Sequence, residues 1–370
     1  MLVIPEIVIE SPKIAMIGDL HFGIKNGDKY FLDFQVKYMK RKLDMLAGMG
    51  IKQLFQAGDA LDNRKRTETN VINAVQEVCA YAAELGIEIV FIVGNHNTFY
   101  TDTNAVHNLN IVTHMSNVKI VEEYSHGVSK LDGSPVILLL GWIHKNNHDA
   151  LMEAVEQSTA PYCLMHAEFD GFEMYKGIEA KGGMSIVPFR KFKRVLSGHY
   201  HTVSSNGNVE YLGSPYALTW MDWVDGVNRG LFILDVTTDE FNFIRNEEHE
   251  TLFVTHEYDG AIVYDEFFFE KFKNKVVKFF VKEVADPKHY DKFVKLVNSV
   301  PYIDRRIIDE RELAVIEHAA IDIRSMNLTP AKVIDDYVRE EAIVNKLNPD
   351  DVAKEALSLY QSALEEQSKV

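Results

Sequence analysis

The sequence predicts an α/β fold in which two mixed β-sheets pack together and carry helices on their flanks. Three observations predict it. Short strand-like runs at 14–17, 51–55 and 87–93 each lead toward a glycine and a polar loop, the pattern of buried strands closed by turns. Stretches with helical apolar spacing separate these runs, which gives a β-α-β-α-β order with crossovers. From about residue 118 strand-like runs dominate and helical spacing becomes sparse, which reads as a second sheet packed on the first.

The first run, Ile14-Ala15-Met16-Ile17, ends at Gly18, and Asp19 and His21 emerge at its C-terminal edge. Ligands gather at such edges in sheets with crossover connections. In 31–46, Phe31, Phe34, Tyr38, Leu43 and Leu46 form one apolar helical face, closed by Gly48 and Gly50. The second run, 51–55, ends in Gln56-Ala57-Gly58-Asp59. A second helix over 70–85 carries Val71, Val75, Val78 and Ala82 on one side and stops at Gly86. The third run ends in Gly94-Asn95-His96-Asn97. Further strands are expected at 118–122, 136–142, 162–166, 194–197, 209–212 and 230–236, with a helix near 149–157. A hairpin is expected around Thr237-Thr238-Asp239.

From about residue 261 aromatic and basic residues mix, as in Phe267-Phe268-Phe269 and the lysines of 271–282. A helix over 290–297 and a strand over 305–309 complete a small α/β unit. Phe272, Phe279 and Phe280 suit either a buried core or a nucleic-acid contact. The tail reads as helical. Thr329-Pro330 is an N-cap followed by proline at the first helical position, and Asn348-Pro349 repeats the signal. Ile334, Tyr337 and Val338 form one stripe, and Ala353, Ala356, Leu357, Tyr360 and Leu364 another. They suit closing the core and docking on a partner equally. The expected division is therefore 1–258, 259–316 and 317–370.

A chain of 370 residues is long enough for two or three domains. At 46% apolar and 25% charged residues its composition is that of a soluble globular protein. No stretch approaches the roughly 18 consecutive apolar residues of a membrane span, and the N-terminus lacks a basic region ahead of a long apolar run. The expected location is cytoplasmic, with no membrane partner. Cys79 and Cys163 are too few and too far apart in sequence for a disulfide framework. A net charge of −16 argues against gripping nucleic acid through the whole surface, but leaves room for local basic grooves such as Arg64-Lys65-Arg66 and Arg190-Lys191-Phe192-Lys193-Arg194. Each of these suits a solvated face equally well.

The chemistry lies in Gly198-His199-Tyr200-His201 and four earlier stretches. Side chains at i and i+2 of an extended segment point the same way, so both histidines can face one pocket. A pair of divalent metals needs several ligands in one place and a carboxylate shared between the ions. Asp19, His21, Asp59, Asn95, His166, His199 and His201 are the candidates, each in a loop at the end of a strand. Mixed His, Asp and Asn ligands suit manganese, iron or zinc better than calcium. Taken singly, each stretch has a plainer reading. Asp19 and His21 suit a cap, Gly58-Asp59 a turn, and His199-x-His201 a surface loop. His144 reads as structural, and His107, His114, His126 and His148 as surface residues.

Together the blocks D-x-H, G-D-x-x-D, G-N-H, a lone His and G-H-x-H, in this order, resemble the calcineurin-like metallophosphoesterases. The residue after His96 departs from that pattern: Asn97 stands where the family has Asp or Glu. Within the superfamily the chain looks most like SbcD-type DNA repair and recombination nucleases, especially those of large phages. His166-Ala167-Glu168-Phe169-Asp170-Gly171-Phe172-Glu173 and Tyr211-Leu212-Gly213-Ser214-Pro215-Tyr216 carry that resemblance.

The resemblance implies a four-layer αββα sandwich, then a small α/β capping domain and a helical C-terminal tail. It implies that Asp19, His21 and His201 bind one metal and that Asn95, His166 and His199 bind the other. Asp59 would bridge them, and His96 would contact the scissile phosphate and assist the leaving oxygen. Asp62 has no assigned role beyond orienting a neighbour. The expected cofactors are two divalent ions, manganese first and magnesium as the alternative. The expected partners are DNA, an SbcC-type SMC-like ATPase bound by the tail, and a second copy of the chain in a homodimer. If the chain is phage-encoded, its place is the host cytoplasm. The implied reaction is exonucleolytic or endonucleolytic hydrolysis of DNA in recombination and double-strand break repair. Two rivals stand beside it. One is a metallophosphoesterase acting on a small phosphodiester or a phosphoprotein, although Asn63 follows Asp62 where a phosphatase would show Arg-Gly. The other is a scaffold subunit that has kept the fold without catalysis.

Overall fold

In the computed structural model, residues 3–311 are described except 176, 177, 181, 225, 227 and 248–250; beyond 311 only 338, 348, 350, 352–354 and 356 are. The strands are β1 (Glu6–Ile9), β2 (Lys13–Ile17), β3 (Gln53–Gln56), β4 (Glu88–Ile92), β5 (Val118–Val121), β6 (Tyr124–Ser129), β7 (Pro135–Leu140), β8 (Tyr162–His166), β9 (Glu173–Tyr175) and β10 (Ile178–Glu179). They continue as β11 (Arg194–Gly198), β12 (Ser204–Asn206), β13 (Val209–Tyr211), β14 (Gly230–Asp235) and β15 (Phe241–Arg245). Between them lie the short turn α1 (Ile24–Gly27) and helices α2 (Lys29–Gly48), α3 (Thr69–Glu84), α4 (His148–Gln157) and α5 (Trp220–Trp223).

Two mixed sheets result, with strand orders β15-β14-β2-β3-β4-β5 and β1-β6-β7-β8-β11-β13-β12. Three apolar layers explain why they stack. Strand side chains alternate between faces. In β2, Ile14 and Met16 turn toward the second sheet, where they join Phe55, Val90, Ile137, Leu139, Leu164 and Leu196. Ala15 and Ile17, one residue out of phase, meet Phe31, Leu43, Val75 and Val78 of α2 and α3. On the far side Leu138, Cys163 and Val195 pack against Leu151 and Val155 of α4. Helix, sheet, sheet and helix thus form four layers, and the inner strands β2, β3, β4, β7, β8 and β11 are buried on both faces along most of their length. Cys79 and Cys163 are buried and free.

The pairing gathers loops at one edge. β2, β3 and β4 run parallel, with Ile17 opposite Gln56 and Gln56 opposite Phe91. Their C-terminal loops therefore leave the sheet on the same side. In the other sheet β8 and β11 are parallel, and Gly198 stands opposite His166.

Some strands lie elsewhere than expected. The 118–122 run is β5, which extends the first sheet beside β4. The 230–236 run and its hairpin partner are β14 and β15, and β14 pairs antiparallel with β2, also in the first sheet. Apolar periodicity identifies a strand but not its neighbour. β1, β6 and β12 are not foreshadowed in the sequence pattern. β1 and β12 are edge strands with few buried residues, and so carry little hydrophobic signal.

The chain divides into two compact units. The first holds Met1–Val254, Asp265–Val277 and Leu296–Arg305, with Phe272 buried in it. The second holds Thr255–Tyr264, Lys278–Lys295 and Arg306–Val370. Tyr258, Tyr264 and Phe293 form an aromatic nest there, with ring centroids 4.8 Å apart for Tyr264 and Phe293 and 5.0 Å for Tyr258 and Phe293. Phe279 is buried too, so Phe272 and Phe279 are core residues, while Phe280 is half-buried. A helix spans Pro287–Ser299 and a strand Asp304–Asp309, close to the expected positions. The expected helical tail, 317–370, lies almost wholly outside the described residues. No helix among the described residues is long and apolar enough to cross a membrane.

Candidate metal centre

Every candidate ligand sits where a strand of one sheet or the other gives way to a loop, and close backbone approach brings these loops together. A Cβ on Gly58 would lie 2.2 Å from His166 Nδ1, and one on Gly198 would lie 2.1 Å from the Ala57 carbonyl oxygen and 2.7 Å from Asp19 Oδ1. Only glycine fits at either place. His166 arrives by strand alternation. Tyr162 and Leu164 of β8 face the layer between the sheets, and the next residue in phase is His166.

The backbone at the site is strained. His21, Asp59 and His199 have φ of 45°, 54° and 95°, a region that costs a non-glycine residue about 1–2 kcal/mol. Hydrogen bonds hold it. The amides of Leu20 and His21 donate to the Asp59 carbonyl at 3.2 and 3.0 Å. The His199 amide donates to the Asp19 carboxylate at 3.0 Å, and the Asp59 amide to Asn97 Oδ1 at 3.0 Å.

Two groups of side chains face one another. In the first, His21 Nε2 and His201 Nε2 approach to 3.1 Å, and Asp19 Oδ2 lies 4.0 and 3.9 Å from them. In the second, Asn95 Oδ1 lies 2.9 Å from His166 Nε2 and 3.1 Å from His199 Nδ1. Asp59 Oδ2 stands between the groups, 3.3 Å from His166 Nε2 and 4.0 Å from His21 Nε2. Asp19–His21–His201 and Asp59–His166–His199 each converge tightly enough to hold a divalent ion, as does a third set, His21–Asp62–His96.

The donor chemistry fits a cation. His21 Nδ1 lies 3.2 Å from Asp62 Oδ1, and His201 Nδ1 lies 3.4 Å from Asp222 Oδ1. Protons on the two Nδ1 atoms, which face those carboxylates, turn both Nε2 atoms toward each other, and a cation placed there would take both lone pairs. His166 Nδ1 donates to the Ala57 carbonyl at 2.7 Å, so Nε2 is the nitrogen turned toward the site, facing Asn95 Oδ1 and Asp59 Oδ2.

Electrostatics follow from burial and close charges. Burial raises the Asp19 carboxyl. Burial also pushes Asp59 upward, but the His166 imidazole and its hydrogen bond outweigh this and hold Asp59 low. For His166 burial works downward, and the Asp59 and Asp19 carboxylates overcome it and raise the ring to about 9. His199 is lowered to about 3 by burial and then by the neighbouring His166.

Residues outside the ligand motifs hold these groups. Asp222, fully buried, sits behind His201 and accepts from the Thr219 amide and hydroxyl at 2.7 and 2.9 Å. Buried Arg229 lies 3.8 Å from that carboxylate and donates to the His201 carbonyl at 2.9 Å and to Ser214. Gln35 of α2 donates to the carbonyls of Leu20 and His21 at 2.9 and 3.0 Å, and the Tyr216 hydroxyl donates to Leu20 at 2.7 Å. The stretch Gly213-Ser214-Pro215-Tyr216 is thus a brace behind both the Asp19 and the His201 loops. A polar residue at a core position of a helix, Gln35 among Leu32 and Val36, is the signal that betrays such a brace.

Asn97 is fully buried, and its Oδ1 accepts from the amides of Asp59 and Gly94 while its Nδ2 donates to Asn108. His96 is half-buried; its amide donates to Asp59 Oδ1 at 2.7 Å and its Nδ1 to the Asp62 carbonyl at 2.6 Å. Asp62 therefore touches His21 with its side chain and His96 with its backbone. His107, expected at the surface, is buried and lies 3.2 Å from Glu122 Oε1. It seats the base of the loop after Asn97 through a bridge to Thr98. His126 is half-buried on Ser158, while His114 and His148 are exposed as expected. His21, Asp59, Asp62, Asn95, His96, His199 and His201 line a cleft of about 320 Å³.

Comparison with known proteins places the chain among phosphoesterases. The calcineurin-like phosphoesterase family matches residues 12–203, the span that holds every candidate ligand. Exonuclease subunit 1 of Enterobacteria phage T4 is 29% identical over 300 residues, covering 79% of this chain and 84% of that protein. Among solved structures, a dimetal phosphatase from Danio rerio aligns at 9% identity with a TM-score of 0.32, over 54% of this chain and 85% of its own.

Proposed function

The chain belongs to the calcineurin-like phosphoesterase family, and we propose that within it the protein is a two-metal DNA nuclease, the catalytic subunit of a recombination and repair complex. The observation that carries the reading is the pair of facing ligand groups with Asp59 between them. The extent of similarity to a phage exonuclease subunit supports DNA as the substrate.

In this reading Asp19, His21 and His201 hold one divalent ion and Asn95, His166 and His199 the other, with Asp59 shared. Two such ions supply Lewis acidity on both sides of phosphorus and a nucleophile at neutral pH; manganese is the proposed metal. The protein's own part is preorganisation. Asp62 and Asp222 fix the His21 and His201 tautomers, and the Ala57 carbonyl fixes that of His166. His96 is clamped by Asp59 Oδ1 and the Asp62 carbonyl, so its ring stays beside the cleft. Its Nε2 delivers a proton to the leaving 3′ or 5′ oxygen. The strained φ values of His21, Asp59 and His199 are the cost of that geometry.

The finer organisation is proposed on the sequence resemblance alone: 1–258 as the nuclease domain, 259–316 as a DNA-contacting cap, and 317–370 as a helical tail for an SbcC-type ATPase, in a homodimer. The test is manganese-dependent hydrolysis of a labelled linear duplex by the purified chain, beside His96→Ala, with metal content measured on both. Cleavage by the wild type and metal-loaded inactivity of His96→Ala are expected. A chain that hydrolyses a small phosphodiester but leaves DNA intact, with or without an ATPase partner, would favour the small-substrate reading instead.

A further inference from the structure

Phe99 and Tyr100 follow the metal-site loop directly, and both rings are exposed, at 41% and 52% of their surface. They pair edge to face with centroids 4.8 Å apart, and Val106 beside them is 47% exposed. Isolated exposed apolar residues are ordinary, but this group is built. The Phe99 amide donates to the Val106 carbonyl at 2.8 Å, and the Asn108 amide to the Asn97 carbonyl at 2.9 Å. The loop is therefore closed at its base on buried Asn97 and His107. It is also tied to a basic segment. Arg64 donates to the Thr98 carbonyl and hydroxyl at 3.3 and 3.4 Å, and Asn108 Nδ2 donates to both the Asn63 and His96 carbonyls at 3.2 Å. Asn63 Oδ1 in turn accepts from the amides of Lys65 and Arg66 at 3.0 and 3.1 Å.

From these contacts we infer that Phe99 and Tyr100, with Arg64, Lys65 and Arg66, form a stacking ledge that holds an unpaired nucleotide of the substrate strand beside the metal centre. The inference rests on the DNA-nuclease reading above. The arrangement has both parts of a single-strand site: aromatic faces for bases and cations for phosphates. Charge complementarity favours a polyanion over an apolar protein partner. In a chain of net charge −16, three consecutive basic residues begin two positions after Asp62, which lines the cleft that the scissile phosphate must enter. Reach agrees as well. Phe99 is three residues from His96, at most about 11 Å along the backbone, or about three stacked nucleotides at ~3.4 Å each.

The test compares the full chain with Phe99→Ala/Tyr100→Ala. Stacking is read in EDTA from the quenching of 2-aminopurine at the unpaired end of an oligonucleotide. Turnover with manganese is measured on that oligonucleotide and on bis(p-nitrophenyl) phosphate. The ledge predicts quenching by the wild type that the double variant loses. It also predicts a KM for the oligonucleotide raised about tenfold or more relative to the small ester, with Phe99→Tyr/Tyr100→Phe restoring both. If the double variant quenches and cleaves DNA as the wild type does, the ledge is wrong while the nuclease reading stands. If the wild type hydrolyses the small ester but neither binds nor cuts DNA, the nuclease reading falls and takes the ledge with it.

Discussion

Asn97 departs from the pattern of the resemblance and yet lies buried at the heart of the site. Asn97→Ala removes the acceptor for two buried amides, those of Asp59 and Gly94, at 3.0 and 2.9 Å. A buried donor left without a partner costs about 1–3 kcal/mol, so the pair predicts a loss of about 2–6 kcal/mol. That is a large fraction of the 5–15 kcal/mol typical of a folded protein. One of the two amides also holds Asp59 at its φ of 54°, so the carboxylate should lose its place between the two ligand groups. Asn97→Asp keeps the oxygen that both amides meet, but sets a carboxylate oxygen against Asn108 Oδ1 where an amide donated at 3.0 Å, so it should cost less than Asn97→Ala. Urea denaturation of the metal-free chains followed by intrinsic fluorescence gives both differences, and metal analysis gives the consequence. If Asn97→Ala unfolds within about 0.5 kcal/mol of the wild type and still takes up two manganese ions, the account of how Asp59 is held is wrong.

Other consequences are sharper in sign than in size. Asp222→Asn removes the carboxylate behind His201 Nδ1, and calorimetry should show manganese affinity weakened by about 10–100-fold, the usual effect of losing such a partner. Gly58→Ala forces a Cβ into His166 and a side chain onto a φ of 93°; the expected outcome is a loss of at least ~1–2 kcal/mol in denaturation and of metal binding. His166 is raised to about 9 by Asp59 and Asp19 against its burial, so in the metal-free chain it is protonated at neutral pH. A cation must displace that proton. Manganese affinity should therefore rise with pH up to about 9, and titration in two buffers of different ionisation heat should show proton release. The same shift stabilises the metal-free fold fully below pH 6.5, and that contribution fades as pH climbs through about 9.

Much of the first sheet was legible because its strands are short apolar runs ended by glycine. β8 matched its expected span, residue for residue, because it is a short and nearly continuous apolar run. The allocation of β5, β14 and β15 was not legible, since pairing partners are chosen by tertiary burial and leave no mark in a strand's own periodicity. At the site, the loops bearing Asp19, Asp59, Asn95 and His199 announced themselves by glycine and polar spacing. His166 carried no local motif, and only its phase with Tyr162 and Leu164 points it at the inter-sheet layer. Asp222 and Arg229 were invisible because a supporting carboxylate and guanidinium look, in sequence, like any surface pair. Their burial distinguishes them. Asn97 illustrates the converse: the amide oxygen accepts the same two backbone hydrogen bonds that a carboxylate would, so a departure in sequence preserves the geometry.

The most direct test of the central claim is a crystal of the chain grown with manganese and measured for anomalous scattering at the manganese edge. The account predicts two peaks about 3.5–4 Å apart, one among Asp19, His21 and His201, the other among Asn95, His166 and His199, with Asp59 touching both. A single peak, or a peak seated on His21, Asp62 and His96 instead, would contradict it.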